Sequence, residues 1–286
     1  MGLRLGARTV ADTDLLVMAI VNRTPDSFYD GGETFGLQAA IDKATRAVDE
    51  GADIVDIGGV KAGPGEEVTV QMEIDRVGPV VVALRERHPA IVISVDTYRA
   101  DVAREVIALG CDLVNEAWGG ADPQIASVVA ETGAALVCSH AGGLPPRTDP
   151  DRPQYDDVVA DVINTCTSLA DKAVAAGVRR DGILIDPCHD FGKNTFHSLE
   201  ITRRLDELVA TGWPVLVALS NKDFVGESLD VGLYDRLPGT LAATVYSAMK
   251  GAQVFRAHNV VETRQALDMV SVIRGDRPPK NARRAL

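Results

Sequence analysis

Residues 39–57, AAIDKATRAVDEGADIVDI, contain one complete unit of a pattern that recurs along the chain. Apolar side chains recur at helical spacing from Ile41 to Val48, which predicts an amphipathic helix over residues 39–51. Gly51 closes this helix, because glycine readily adopts the positive φ found just past a helix C-terminus. The run DIVDI is typical of a parallel strand that is buried on both faces.

The same order of helix, glycine, small residues and strand returns as GCDLV, GAALV and GAQVF. Eight strands are predicted in all, at 15–21, 53–57, 91–95, 112–114, 135–138, 182–185, 214–219 and 253–256. Eight strands that alternate with helices over ~250 residues predict an α/β fold, the (β/α)₈ TIM barrel. A doubly wound open sheet is the alternative. No linker divides the chain, so we expect one domain over residues 1–286, with its core at about 15–272.

Composition and charge exclude several classes of function. The 286 residues carry a formal net charge of −12, which disfavours binding to nucleic acid or to an anionic membrane surface. No apolar run approaches the ~20 residues of a membrane-spanning helix, and the N-terminus shows no signal-peptide pattern. Four scattered cysteines without a CxxC pair argue against zinc and against a disulfide scaffold. A cytoplasmic location is the simplest expectation.

Polar residues follow every predicted strand. In a (β/α)₈ barrel the C-terminal ends of the strands build the active site, so these residues are expected to meet at one mouth. A single Asp at such a position is more often a helix cap than a functional group. The polar residues at the eight strand ends are Asn22, Asp56, Asp96, Asn115, His140, Asp186, Lys222 and His258.

The residue types fit a flat, nitrogen-rich ligand on one side of this mouth. Asp96, Asn115 and Asp186 could hydrogen-bond the edge of an amino-heterocycle, and Lys222 could hold a ring carbonyl or nitrogen opposite them. Asp96 lies in the otherwise apolar ISVDT, where an unpartnered carboxylate is costly to bury. A surface position for Lys222 remains open.

The remaining strand ends fit a phosphate or diphosphate. Arg256, His258 and Asn22 offer charge and hydrogen-bond donors for such an anion. Asn22 could also bind a Mg²⁺ ion that is shared with the phosphates, because Mg²⁺ prefers few protein oxygens and keeps several waters. A structural role for His258 at a helix start remains open.

Seven segments resemble successive motifs of the dihydropteroate synthase family. The resemblance covers roughly residues 15–272, in order and at sensible spacing. The segments are AIVNRTPDSFYDGG (19–32), DIGG (56–59), SVDT (94–97), LVNE (113–116), DPCHDFGKN (186–194), ALSNKDFVGE (218–227) and GTLAATVYSAMKGAQVFRAHNV (239–260).

The resemblance implies a transferase of folate biosynthesis. The family joins 6-hydroxymethyl-7,8-dihydropterin pyrophosphate to p-aminobenzoate and releases pyrophosphate, and sulfonamides and sulfones compete with p-aminobenzoate. It implies Mg²⁺ with the pyrophosphate and a homodimer. By motif position, the implied pterin-binding residues are Asp96, Asn115, Asp186, Phe191 and Lys222, those at the pyrophosphate are Asn22, Arg256 and His258, and the catalytic residues are Lys222, Arg256 and His258.

Two segments depart from the family pattern. DIGGESTRPG becomes DIGGVKAGPG, so that Val60, Lys61, Ala62 and Gly63 replace Glu, Ser, Thr and Arg. In the family this loop, which follows the second strand and is called the second loop, covers the site. Lys61 restores the positive charge of the missing Arg, but as a flexible point charge.

The second departure lies in the motif after the sixth strand. DPGIGFGK becomes DPCHDFGK, which puts Cys188, His189 and Asp190 where two glycines flank an apolar residue. We expect Asp190 to add bulk, and a charge, against the pterin pocket. Glu116 also replaces the usual Asp of the Asn-Asp pair.

The residues implied to bind the pterin and the pyrophosphate are therefore kept, whereas loop residues that contact the substrates in the family are changed. This pattern resembles a divergent second, inactive or weakly active, paralogue of the synthase that still binds a pterin. Two alternatives remain: a fully active synthase with an unusual second loop, and a non-catalytic ligand-binding or regulatory barrel.

Overall fold

A computed structural model describes residues 2–25, 34–148 and 153–285. Residues 26–32 of the first predicted motif lie outside the described residues.

Eight parallel strands form the barrel, and a short antiparallel hairpin precedes them. The strands are β1 (Leu3–Leu5), β2 (Arg8–Val10), β3 (Leu16–Asn22), β4 (Ile54–Gly58), β5 (Val92–Asp96), β6 (Leu113–Glu116), β7 (Ala135–Ser139), β8 (Ile183–Asp186), β9 (Leu216–Val217) and β10 (Val254–Ala257). From β3 to β8 each strand pairs with the next one, and β10 pairs with both β3 and β9.

The sheet closes between β8 and β9. Ile185 and Val215 form a parallel bridge, and the Ile185 amide donates to the Pro214 carbonyl at 2.9 Å. Closure confirms the predicted (β/α)₈ barrel and excludes the open sheet. The predicted strands are confirmed with shifts of one or two residues, although the seventh is shorter than expected.

Helices surround the barrel in the order that the sequence predicts. They are α1 (Leu37–Asp49), α2 (Val70–Arg87), α3 (Ala100–Ala108), α4 (Ile125–Thr132), α5 (Val158–Ala175), α6 (Thr195–Arg203), α7 (Leu205–Val209), α8 (Asp223–Leu229), α9 (Leu237–Met249) and α10 (Val260–Arg274), with short 3₁₀ turns at Arg180–Gly182, Leu233–Asp235 and Arg283–Ala285. Within the described ranges, no helix is long and apolar enough to cross a membrane.

The glycines that end the helices adopt the predicted conformation. Gly51, Gly110, Gly133 and Gly251 have φ values of 97°, 112°, 74° and 104°. An L-residue at such angles would place its Cβ against the backbone. The repeated glycine therefore marks each return from a helix to the next strand.

The N-terminal hairpin plugs the bottom of the barrel, which the sequence did not predict. Leu3, Leu5 and Val10 are fully buried. They belong to the same apolar cluster as inward-facing strand residues such as Leu16 and Met18. The two alternating triplets are too short to stand out as strands. With the bottom sealed, the opposite end of the barrel holds the open mouth.

Candidate functional site

A cavity of about 100 Å³ lies at the C-terminal ends of the barrel strands. The predicted site residues line it together with three residues of the altered second loop. These lining residues are Asn22, Val60, Lys61, Ala62, Asp96, Asn115, Asp186, Cys188, Phe191, Lys222, Arg256 and His258. Six of the eight strand-end residues therefore meet at one mouth, as the barrel geometry predicts. The expectation is wrong for His140, whose Nε2 lies 2.7 Å from Asp161 Oδ1 on α5.

Asp56 in β4 is the buried centre of the hydrogen bonds beneath this cavity. Its carboxylate accepts from Ser94 Oγ at 2.6 Å, from Asn115 Nδ2 at 3.1 Å and from Arg256 Nε at 2.6 Å. The residue is fully buried, so these partners compensate a charge that would otherwise be costly. Asp56 was predicted only as a strand end. Its position inside the apolar run DIVDI is the same signal that identified Asp96.

Arg256 joins Asp56 to Asp96, whose Oδ2 accepts from Nη2 at 3.1 Å. Burial opposes ionisation of Arg256, but the two carboxylates outweigh it and raise the pKa of the guanidinium. Burial raises the pKa of Asp96, and the Asp56 charge adds to this effect against the opposing Arg256. One cation is therefore shared between two carboxyl groups at the base of the site.

The loop after β8 supplies the other wall. The Asp186 carboxylate accepts from the Cys188 amide at 2.7 Å, and burial raises the pKa of this carboxyl, although Lys222 opposes the rise. Lys222 Nζ donates to the His189 carbonyl and lies 4.8 Å from the centroid of the Phe191 ring. A carboxyl, an ammonium and an aromatic face thus meet on one side of the cavity.

The buried side chain of Lys193 fixes the shape of this loop. Lys193 Nζ donates to the carbonyls of His140 at 2.9 Å, Cys188 at 3.0 Å and Phe191 at 2.8 Å. Burial lowers the pKa of this lysine to about 8. All three ammonium protons are used, so Lys193 ties the end of β7 to the loop that carries Cys188 and Phe191.

Two of the substituted residues in 188–190 adopt the left-handed backbone that favours glycine. Cys188 and Asp190 have φ values of 49° and 69°, a region that costs a non-glycine residue roughly 1–2 kcal/mol. Only Cys188 lines the cavity.

The expectation that Asp190 presses on the pocket is wrong. Its carboxylate accepts from Ser198 Oγ at 3.0 Å and from the Phe224 amide at 3.3 Å, at helices α6 and α8. His189 likewise points outward, with Nε2 3.0 Å from Thr202 Oγ1 and its ring stacked on Phe224. His189 and Asp190 therefore both turn away from the mouth, and Asp190 does so from a left-handed backbone with a φ of 69°.

Glu116 also lies outside the cavity, because neighbouring strand residues face opposite sides of the sheet. Asn115 faces inward to Asp56. The Glu116 carboxylate faces the helical layer, where it accepts from the amides of Trp118 at 2.8 Å and Gly120 at 2.7 Å. Burial raises the pKa of Glu116 to about 7. The Asp-to-Glu change therefore shapes the loop after β6 rather than the ligand site.

His258 and Asn22 lie on the side of the cavity predicted for an anion. His258 Nδ1 is 3.0 Å from Ser220 Oγ, which also accepts from the His258 amide at 3.1 Å. These contacts fix the plane of the imidazole. Asn22 ends β3 beside Gly58, where an added Cβ would lie 2.9 Å from the Asn22 Oδ1 atom. Gly58, the first glycine of the DIGG motif, thus leaves room for the Asn22 amide.

The donor set fits a metal that arrives with its ligand. Asn22 offers a single amide oxygen to the cavity. In the described part of the chain, no group of three His, Cys, Asp or Glu side chains could hold an ion by itself. Mg²⁺ commonly takes few protein ligands and completes its shell with waters and substrate phosphates. Asn22 is therefore compatible with the predicted Mg²⁺, whose binding stays a prediction.

Comparison with known sequences decides the family. The sequence pattern described as "Pterin binding enzyme" matches residues 18–258. The chain belongs to the pterin-binding enzyme family. This membership confirms the resemblance on which the sequence motifs were assigned.

Relatives and solved structures of the pterin-binding enzyme family match nearly the whole chain in sequence or in fold. "Inactive dihydropteroate synthase 2" of Mycobacterium leprae is 58% identical over 286 residues, covering 99% of this chain and 98% of its own length. "Dihydropteroate synthase" of Staphylococcus haemolyticus is 40% identical over 265 residues, covering 90% and 96%. The Yersinia pestis dihydropteroate synthase, solved with a sulfonamide drug, superposes with a TM-score of 0.91 at 36% identity, covering 97% of this chain and 100% of that one.

Proposed function

We propose that this protein binds a pterin at the barrel mouth and has weak or no dihydropteroate synthase activity. One observation carries the proposal: a single cavity joins Asp96, Asn115, Asp186 and Lys222 to a second loop that has lost its reactive side chains. The strong similarity to a relative named as inactive supports the second half.

The retained residues supply the chemistry for recognition of the heterocycle. Asp96 and Asp186 are carboxyl groups of raised pKa that face the cavity, so each could accept hydrogen bonds from an amino-pyrimidine edge or share a proton with it. Asn115 is oriented by its bond to Asp56. Lys222 and Phe191 offer a cation and an aromatic face for a ring system.

In the proposed function, the site binds the diphosphate more weakly than the family pattern implies. Arg256 is already bound by two carboxylates, and Ala62 and Gly63 stand where the family pattern has Thr and Arg. Each lost charge-assisted hydrogen bond removes roughly 1.5–3 kcal/mol from binding of the diphosphate. Asn22, His258 and Arg256 would hold what remains of this subsite together with Mg²⁺, whose role would be to neutralise diphosphate charge.

An active synthase is the second candidate, because Lys61 lines the cavity and could replace part of the missing arginine. The p-aminobenzoate subsite is proposed beside the same loop. Sulfonamide or sulfone analogues could occupy it, as the Yersinia pestis relative was solved with such a drug.

We also propose a homodimer of the cytoplasm. Apolar side chains on the outer faces of the adjoining helices α9 and α10 support the first point: Tyr246, Met249, Met269 and Ile273 are 43–66% exposed. Four buried free cysteines support a reducing compartment. Light scattering of the purified protein gives the mass directly.

A loop exchange tests the proposed loss of activity. The natural protein and a variant with Val60→Glu, Lys61→Ser, Ala62→Thr and Gly63→Arg are assayed with Mg²⁺, the pterin diphosphate and p-aminobenzoate. We expect turnover far below ~1 s⁻¹ for the natural protein and a clear gain in the variant. Natural turnover within tenfold of that value contradicts the proposal, and Lys61→Ala then tests the second candidate by its loss of turnover.

A further inference from the structure

We infer that Arg147 is a positioning residue that holds the second loop closed over the barrel mouth and so limits what enters the cavity. The second loop is defined as residues 60–67, between β4 and α2. Arg147 lies in the loop between β7 and α5, more than eighty positions further along the chain. This inference does not depend on whether the ligand is a pterin.

The two ends of the second loop are anchored in the barrel wall. At its start, Arg76 Nη1 donates to the Gly59 carbonyl at 2.8 Å. At its end, Val68 is buried, and the Thr69 side chain caps α2 by accepting from the Met72 amide at 3.2 Å. These contacts make the segment between them a loop with fixed ends.

The middle of the loop has a different kind of support. Among the described residues, no backbone–backbone hydrogen bond involves residues 60–67, and Ala62 and residues 64–67 are exposed. Arg147 Nε donates to the Gly63 carbonyl at 3.2 Å, and Nη1 donates to the Glu66 carbonyl at 2.8 Å. One planar guanidinium therefore bridges a carbonyl at the middle of the loop and a second one toward its end.

The closed position of the loop reduces the size of the cavity. Val60, Lys61 and Ala62 contribute to its wall, and its volume of about 100 Å³ is below the ~300–1,000 Å³ of most small-molecule sites. Release of the two carbonyls would let the loop move about its anchored ends and widen the mouth. Arg147 would therefore act on ligand entry through the loop, without touching the ligand.

The experiment measures the position of the loop directly, with no ligand present. Nitroxide labels are placed by Glu66→Cys and Glu86→Cys, two exposed positions on the loop and near the end of α2. The four natural cysteines are buried, so the new thiols react selectively. Pulsed electron spin resonance then gives the distance distribution between the labels.

We expect one narrow distribution with Arg147 present. Arg147→Ala removes the bridge, and since Ala carries a Cβ as Arg does, the backbone strain at the φ of 65° is unchanged. The substitution should raise the ratio of open to closed loop about tenfold or more. Arg147→Gln, which is too short to bridge both carbonyls, should shift the distribution in the same direction. Arg104→Ala is the matched control, because Arg104 pairs with Glu131 on the exposed surface of α3 and α4.

Distributions that superpose for the native, Arg147→Ala and Arg147→Gln proteins overturn the inference. An equal broadening in Arg104→Ala also overturns it, because the effect would then come from the loss of any surface arginine. Circular dichroism spectra of the variants confirm that the barrel is intact. Since the result is independent of pterin binding, failure here leaves the proposed function to its own test.

Discussion

Replacement of Glu116 by Gln should remove a pH dependence of stability. Glu116 is 3% exposed, and its carboxylate accepts from the Trp118 and Gly120 amides. Gln has the same length and keeps one oxygen acceptor, while its NH₂ group meets the second loop amide and adds a cost that does not change with pH. The change in the pH dependence of stability therefore reports only the loss of an ionisable group.

The magnitude follows from the shift in the pKa of Glu116. This carboxyl ordinarily titrates near 4.5, and burial raises its pKa in the folded protein to about 7. Between these values the folded state binds more protons than the unfolded state, so the free energy of unfolding falls as pH rises. At 1.36 kcal/mol per unit, the wild type should lose about 2 kcal/mol between pH 5 and pH 7 through this group.

Urea denaturation at pH 5, 6 and 7 measures this difference. The Glu116→Gln protein should gain about 2 kcal/mol relative to wild type across the range, because all other titrating groups cancel in the comparison. Glu131→Gln, at an exposed carboxylate, should show no such trend. A constant difference between wild type and Glu116→Gln from pH 5 to pH 7 would refute the reasoning. A difference that shrinks as pH rises would show that the loop amides stabilise the carboxylate more than burial penalises it.

Two further substitutions test the loop after β8. Lys193→Met leaves three carbonyls without their donor and should lower the free energy of unfolding by about 3–5 kcal/mol. A loss under ~1 kcal/mol would contradict the conclusion that Lys193 ties β7 to the loop after β8. Gly192→Ala places a Cβ 2.7 Å from the Ala141 carbonyl at a φ of 62° and should cost about 2–4 kcal/mol. An unchanged urea midpoint for this variant would show that the loop after β8 is not tightly packed against the loop after β7.

The fold was predictable because it depends on local patterns. Apolar runs such as DIVDI and the glycine at position 51 report burial and backbone conformation from neighbouring residues alone. The hairpin of Leu3–Leu5 and Arg8–Val10 was missed because two three-residue strands give too short a pattern to detect. Only the burial of Leu3 and Leu5 beneath the barrel reveals its role.

The site was predictable in its members but not in its connections. Barrel topology brings Asp96, Asn115 and Asp186 to one mouth from their order in the sequence. The direction of Asp190 depends on a left-handed backbone that was expected only of glycine, so its contact with α6 and α8 could not be foreseen. The bond from Arg147 to Gly63 joins two irregular loops, and no periodic pattern predicts such a contact.

Titration with 6-hydroxymethyl-7,8-dihydropterin tests pterin binding most directly. Isothermal titration calorimetry should show saturable binding to the natural protein, weakened about tenfold or more by Asp186→Asn because that carboxyl lines the proposed pterin site. Asp206→Asn, at a surface ion pair with Lys250, should bind as the natural protein does. Absence of measurable binding to the natural protein would contradict the proposal that its barrel mouth is a pterin site.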